Sequence, residues 1–294
     1  MKEISSVELD KILKESVSNN INLGKVIDKK AITSYLDTFT EKKAVLGFDI
    51  YQYSQFPSLQ QTLIPHLFKK LYSLTIKNCI TNESFFFDYT TSAEFESKFI
   101  DTGDGGFQIF EKPFEALMFA IYFQANIVRY NSGNKILSDL YNIVGEISLR
   151  YSLTYDNVNE YKKNFYGPAI INCARIMSKD KLNRFLIDNN TITWFNTEIN
   201  SIETCLSFEP EKDFPTIPIF KSNFDKSTYS SVLFSLEKNI FKSLDILKIG
   251  EIKSKLDTLS IFSAHIQVVF TSKGKAFNKY HLTLGNLNSS GLTE

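Results

Sequence analysis

The sequence predicts an α+β fold built around a largely antiparallel sheet. Short β-branched apolar runs are interspersed with longer stretches of helical periodicity. The two kinds mix without the regular alternation of a parallel-sheet protein, and one pair of runs is joined by a Gly/Asp turn of hairpin type.

Residues 1–40 show helical spacing at Val7, Leu9, Ile12, Leu13 and then Val26, Ile32, Leu36, broken by SNNINLG, and predict two helices ahead of the main domain. The core spans 41–204. It opens with the apolar run Ala44–Ile50, whose length and β-branching suit a buried strand ending at the carboxylate of Asp49. Leu59, Leu63, Leu67, Leu71 and Leu74 then mark a helix over 58–79 with one buried face. The segment 99–110 reads as two short strands around Asp101-Thr102-Gly103-Asp104-Gly105. Pro113 opens a helix, where its missing N–H costs nothing. Residues 146–155 alternate, with Ile147, Leu149, Tyr151, Leu153 and Tyr155 on one face and Ser148, Arg150, Ser152 and Thr154 on the other, as in a half-buried strand. Gly167-Pro168 begins a helix expected to run through AIINCARIMSKDKLNRFL, with TITWF as a following strand. Residues 205–294 form the C-terminal part of the same domain. There Pro210, Pro215 and Pro218 punctuate a loop, a helix is expected near 227–258, strands at 263–271 and 277–284, and a disordered tail NLNSSGLTE.

Composition narrows the chemistry. Lys+Arg and Asp+Glu both number 33, which gives no basis for binding duplex nucleic acid or an anionic membrane. Cys79, Cys173 and Cys205 form no CxxC pair and too few pairs for a disulfide framework. The charged start MKEISSVELDKILKE lacks a signal peptide's apolar run, and no stretch has the length of a membrane span, so a cytoplasmic protein is expected. His66, His265 and His281 lie in no HExxH, and GxSxG and GxxxxGK[ST] are absent, so carboxylates must carry any catalysis.

Two carboxylates stand out. Asp49 ends a hydrophobic strand, where an ionised group is costly without a partner, and Asp104 lies at a hairpin tip among glycines that allow close approach. As sheet neighbours they would offer two oxygen ligands to Mg²⁺ or Mn²⁺. The plainer alternative is that Asp49 caps a turn and Asp104-Gly105 only makes the hairpin tight.

With these motifs in order, the chain resembles the catalytic domain of class III nucleotidyl cyclases. Gly47–Ser54 is similar to that family's first metal segment, Asp101–Gly105 to its second, Leu149–Leu153 to the strand that follows, and Gly167–Ile176 to the helix that lends an asparagine and an arginine to a partner's active site. The resemblance implies a ferredoxin-like βαββαβ core and two Mn²⁺ or Mg²⁺ ions held by Asp49, Asp104 and the Ile50 carbonyl. It also implies a phosphate cradle of backbone amides from Tyr51, Gln52, Tyr53 and Ser54 beside Phe48, with Arg175 and Asn172 as catalytic residues of a homodimer with composite sites. The sequence departs from the family at its base-reading positions, which hold Ile100 and Asn164, and Asn172 is displaced by one helix position. With the N-terminal helices, these departures make the chain similar to the pyrimidine cyclases of bacterial Pycsar anti-phage systems. The implied substrate is UTP, with CTP next, and the implied product a cyclic nucleotide messenger acting on a separate effector. Lys212 and Lys221 are candidate phosphate ligands. The rival readings are a degenerate cyclase-like domain that binds a nucleotide or a partner, a purine cyclase, and a structural α+β protein.

Overall fold

A computed structural model describes residues 3–20, 24–27, 29–87, 91–133, 137–206, 241–253, 258–272 and 278–292. It begins with α1 (Ser6–Glu15), β1 (Val17–Asn20), β2 (Gly24–Ile27) and α2 (Lys29–Asp37). Ser5 caps α1 by accepting the Glu8 N–H. The break expected between two helices is instead an antiparallel strand pair, with Val17 opposite Ile27.

The core follows in the order β3 (Glu41–Ile50), α3 (Ser58–Asn82), α4 (Ser84–Phe87), α5 (Ser92–Ser97), β4 (Phe99–Asp101), β5 (Gly105–Phe110), α6 (Pro113–Asn131), α7 (Ser138–Val144) and β6 (Leu149–Tyr161). The sheet runs β6-β3-β5-β4, every pair antiparallel, which is the strand order of a ferredoxin-like βαββαβ unit. The chain continues through β7 (Asn164–Tyr166), α8 (Pro168–Lys179), β8 (Phe185–Asp188), α9 (Asn189–Glu198), α10 (Ile202–Leu206), β9 (Phe241–Lys253), β10 (Thr258–Ser272) and β11 (Asn278–Leu284), completing a sheet of nine strands among the described residues. The β6–β8 pair is parallel, with α8 as its crossover. The fold class is therefore α+β, as the sequence predicts.

Alternation along β3 sorts the two faces of the sheet. Ala44, Leu46, Phe48 and Ile50 enter the main core under α3 and α6, while Val45 packs with Ala169 and Cys173 of α8 on the other face. Gly47 lies on that second face, where a Cβ would meet the Met177 sulfur at 2.5 Å and the Cys173 sulfur at 2.7 Å. Glycine there lets α8 lie directly on the strand. The polar side of β6 is thus roofed, and Ser152 and Thr154 are buried where a half-exposed strand was expected.

Three further expectations are corrected. TITWF lies within helix α9: Asp188 caps it by accepting the Thr191 N–H at 2.8 Å, and the strand is the preceding Phe185–Asp188. Residues 241–253 of the expected 227–258 helix form β9; the remainder of the stretch up to 240, like Lys212 and Lys221, lies outside the described residues. The tail is held in place as far as Leu292: Arg184 Nη1 donates to the carbonyls of Ser290 at 2.6 Å and Asn288 at 3.4 Å, and Leu292 packs over Gly250. Among the described residues, no helix is long and apolar enough to cross a membrane.

Candidate active site

The register of β3 against β5 places Asp49 opposite Gly105, and the Ile50 N–H donates to the Asp104 carbonyl at 3.1 Å. Gly105 makes this approach possible, since a Cβ there would lie 2.2 Å from the Phe48 carbonyl oxygen. The two aspartates therefore lie at the same end of this strand pair, close enough for the charge of one to act on the other. Burial raises the Asp104 pKa, its own backbone N–H opposes that rise, and the charge of Asp49 adds to it. Asp101 shapes the turn between β4 and β5 that carries Asp104: its Oδ1 accepts the Gly103 N–H at 2.8 Å, and its other oxygen pairs with Lys69 of α3 at 3.1 Å.

Sequence reasoning missed Arg150. It stands opposite Asp49 on β6 and grips that carboxylate with both arms, Nε to Oδ1 at 2.6 Å and Nη2 to Oδ2 at 2.8 Å. Its Nη1 donates to the Met177 carbonyl at 3.0 Å and to that of Asp180, at the C-terminal end of α8. The bonds to Asp49 raise the guanidinium pKa against the effect of burial. The sequence did carry a signal, a cation on the polar face of a strand, but only strand register identifies its partner.

The other predicted residues divide into groups. Phe48 is fully buried among Phe68, Tyr72, Phe99, Phe119 and Phe123, so its side chain reaches no ligand; the strand period that turns Asp49 toward α8 turns Phe48 into the core. The Tyr51 N–H already donates to the Ser148 carbonyl at 2.9 Å, which removes it from the expected cradle. Gln52, in the left-handed region at φ 58°, leads into a short 3₁₀ turn, Tyr53–Gln55. Gln55 and Phe56 donate back to Gln52 and Tyr53, so the N–H groups of Gln52, Tyr53 and Ser54 precede the first bond of that turn. The Tyr53 hydroxyl donates to the Gln61 carbonyl at 3.0 Å. Tyr51 and Gln52 line a cleft of about 420 Å³, together with Gln55, Phe56, Asn131, Glu146 and Ser148.

Asn172 and Arg175 lie on α8 away from its sheet-facing side chains Ala169, Cys173, Ile176 and Met177. Arg175 is exposed and donates to Asn172 Oδ1 at 3.4 Å. Within one chain its guanidinium bonds Asn172 rather than Asp49 or Asp104. Ile100 is half-buried against the small cluster of Val45, Ile109 and Phe165, and Asn164 is exposed beside Phe165.

The donor set suits a hard divalent cation: two carboxylates at one end of the strand pair, one of them raised in pKa partly by the other's charge. Among the described residues no three His, Cys, Asp or Glu side chains gather as ligands. Backbone, water or substrate oxygens would have to complete the shell.

No protein-family model matches the chain, and none of the curated proteins does. Among solved structures it is similar to an adenylate/guanylate cyclase/hydrolase from Silicibacter pomeroyi, at 11% identity over 76% of this chain and 96% of that one, with a TM-score of 0.43. It is also similar to the guanylate cyclase domain of RhGC from Catenaria anguillulae in complex with GTP, at 12% identity over 76% and 96%, TM-score 0.43. A third is the adenylyl cyclase CyaB from P. aeruginosa, at 11% identity over 76% and 95%, TM-score 0.38.

Proposed function

We propose that this chain is a nucleotidyl cyclase of the class III kind, turning a nucleoside triphosphate into its 3′,5′-cyclic nucleotide and pyrophosphate. The observation that carries the reading is the register that sets Asp49 opposite Gly105, so that the carboxylates of Asp49 and Asp104 share one end of the sheet. In the reaction the 3′-hydroxyl loses its proton as its oxygen bonds the α-phosphorus, and the bond to the β-phosphate oxygen breaks, releasing pyrophosphate.

Asp49, Asp104 and the Ile50 carbonyl would hold Mn²⁺ or Mg²⁺, which when bound would supply activation of the attacking hydroxyl and neutralisation of charge on the phosphates. The N–H groups of Gln52 to Ser54 offer a donor patch for phosphate oxygens, and the adjoining cleft has room for a substrate moiety. Arg175, facing away from its own sheet, is available to the site of a second copy, where it would stabilise charge growing on the α-phosphate. That is the reason to propose a homodimer with two composite sites. Ile100, Tyr51 and Asn164 supply apolar, aromatic and amide contacts that favour a small base, UTP first and CTP next. The cyclic product would then serve as a messenger to a separate effector in anti-phage defence.

A second reading has one observation in its favour. Arg150 takes both oxygens of Asp49, which occupies them ahead of any metal and favours a domain that binds nucleotide without turnover. Incubation with all four NTPs and Mn²⁺, followed by mass spectrometry, separates the two. The cyclase reading expects a cyclic pyrimidine nucleotide and pyrophosphate, and the binding reading expects neither. Mixing inactive Asp49→Ala and Arg175→Ala proteins should restore part of the activity, and a mixture as inactive as its components would rule out shared sites.

A further inference from the structure

We infer that Arg150 is the resident counter-cation of this site, a positioning residue that holds Asp49 in place and competes with a divalent ion for it. The inference rests on the reading of Asp49 as a metal ligand.

Three negative features converge on the guanidinium. Asp49 accepts from it with both oxygens, Asp104 contributes a second nearby carboxylate, and the carbonyls of Met177 and Asp180 present the C-terminal end of α8. The last carbonyls of a helix lack partners within it and carry its negative pole, so a fixed cation is stabilised there. The pair is only partly exposed, with side-chain accessibilities of 27% for Arg150 and 17% for Asp49, so solvent screens it incompletely. A divalent ion on Asp49 must take at least one oxygen now bonded to Arg150, and it then sits beside a like charge. The same contacts give Arg150 a second effect: it ties the helix carrying Asn172 and Arg175 to the strand carrying Asp49.

This predicts a change in metal binding opposite in sign to that of ordinary structural damage. Nucleotide-free protein is titrated with Mn²⁺, and free ion is read by electron paramagnetic resonance for wild type, Arg150→Met, Arg150→Lys and Asp49→Asn. Circular dichroism confirms the fold of each. Arg150→Met should bind Mn²⁺ about tenfold more tightly, the equivalent of one partly exposed charge pair. Arg150→Lys, which keeps the charge and loses the fork, should fall between it and wild type. Asp49→Asn should bind most weakly. A folded Arg150→Met protein that binds Mn²⁺ equally or more weakly than wild type overturns the inference. If that variant does not fold, Arg150→Lys decides by the same criterion. Mn²⁺ binding by wild type that Asp49→Asn leaves unchanged overturns the metal-ligand reading itself, and binding by none of the proteins overturns both.

Discussion

Gly47 shows how one missing side chain fixes the depth at which a helix lies on a strand. A methyl group there would collide with Cys173 and Met177, two of the side chains that hold α8 down. Gly47→Ala should lower the unfolding free energy by about 1–3 kcal/mol, read from urea denaturation midpoints. A midpoint at or above that of wild type would show that α8 yields without cost. Asp188 offers a second test. Burial pushes its carboxyl up to about 6 against an ordinary 3.8, although Oδ1 accepts the Thr191 N–H, and Oδ2 has no partner among the described residues. The folded state therefore binds this proton more tightly than the unfolded state. The cost of ionisation is full above pH 6, shrinks as the pH falls, and vanishes near 4. Asp188→Asn should lose this dependence, so the difference in stability between variant and wild type should change by ~2–3 kcal/mol between pH 4 and 7. Denaturation curves at several pH values give that number, and parallel curves for the two proteins would contradict it. Single residues were legible where the sequence placed chemistry against its surroundings. Asp49 stood out because a charge closed an apolar run. Arg150 did not, because it took its turn among polar neighbours, and its partner lies 101 positions away.

At the scale of elements, the turn after β3 and the helix α3 compensate for each other. Pro65 lies inside α3 and has no N–H to offer the Gln61 carbonyl one turn back, and the Tyr53 hydroxyl fills that gap. The predicted phosphate turn is thereby fastened to the helix it precedes. Tyr53→Phe should cost about 1 kcal/mol in the wild-type background and close to nothing beside Pro65→Ala, whose restored N–H serves Gln61 directly. A double-mutant cycle by urea unfolding measures the coupling, and additive costs would show the bond to be incidental. Elements with a clear local signal were legible: α3 by its leucine spacing, α6 by Pro113 at its start, the β4–β5 hairpin by its Gly/Asp turn and β6 by alternation. Those misread had misleading composition. TITWF is β-branched and aromatic, yet the capping aspartate ahead of it starts a helix. The β9 segment lacks a regular alternation, and its pairing with β10 shifts register between Ile261 and Phe262 and again between Gln267 and Val268.

Across the whole molecule, a chain of charges runs from the site to the C-terminal segment. Asp49 pairs with Arg150, which bonds the Asp180 carbonyl. The Asp180 side chain pairs with Arg184 at 2.7 Å, and Arg184, fully buried, reaches the carbonyls of Asn288 and Ser290. A buried ion pair is costly to leave half-made. A chain stopped at Gly285 would open this arm of Arg184 and uncover the Gly250 region beneath Leu292, and it should lose on the order of 3 kcal/mol of stability by urea unfolding. Unaltered stability would make the segment a passive cover. Neither this connection nor the order of the outer strands was readable in advance, because both depend on pairings between distant segments.

The groups that receive Arg184 belong to the main chain. The carbonyl at 290 accepts in the same way whatever side chain that position carries. Evolution is thus free to rewrite the letter at 290 while the path stays fixed, whereas Asn286, Asn288 and Leu292 make side-chain contacts of their own. Among relatives, position 290 should look like unconstrained spacer in an alignment even though its course is held by the buried arginine.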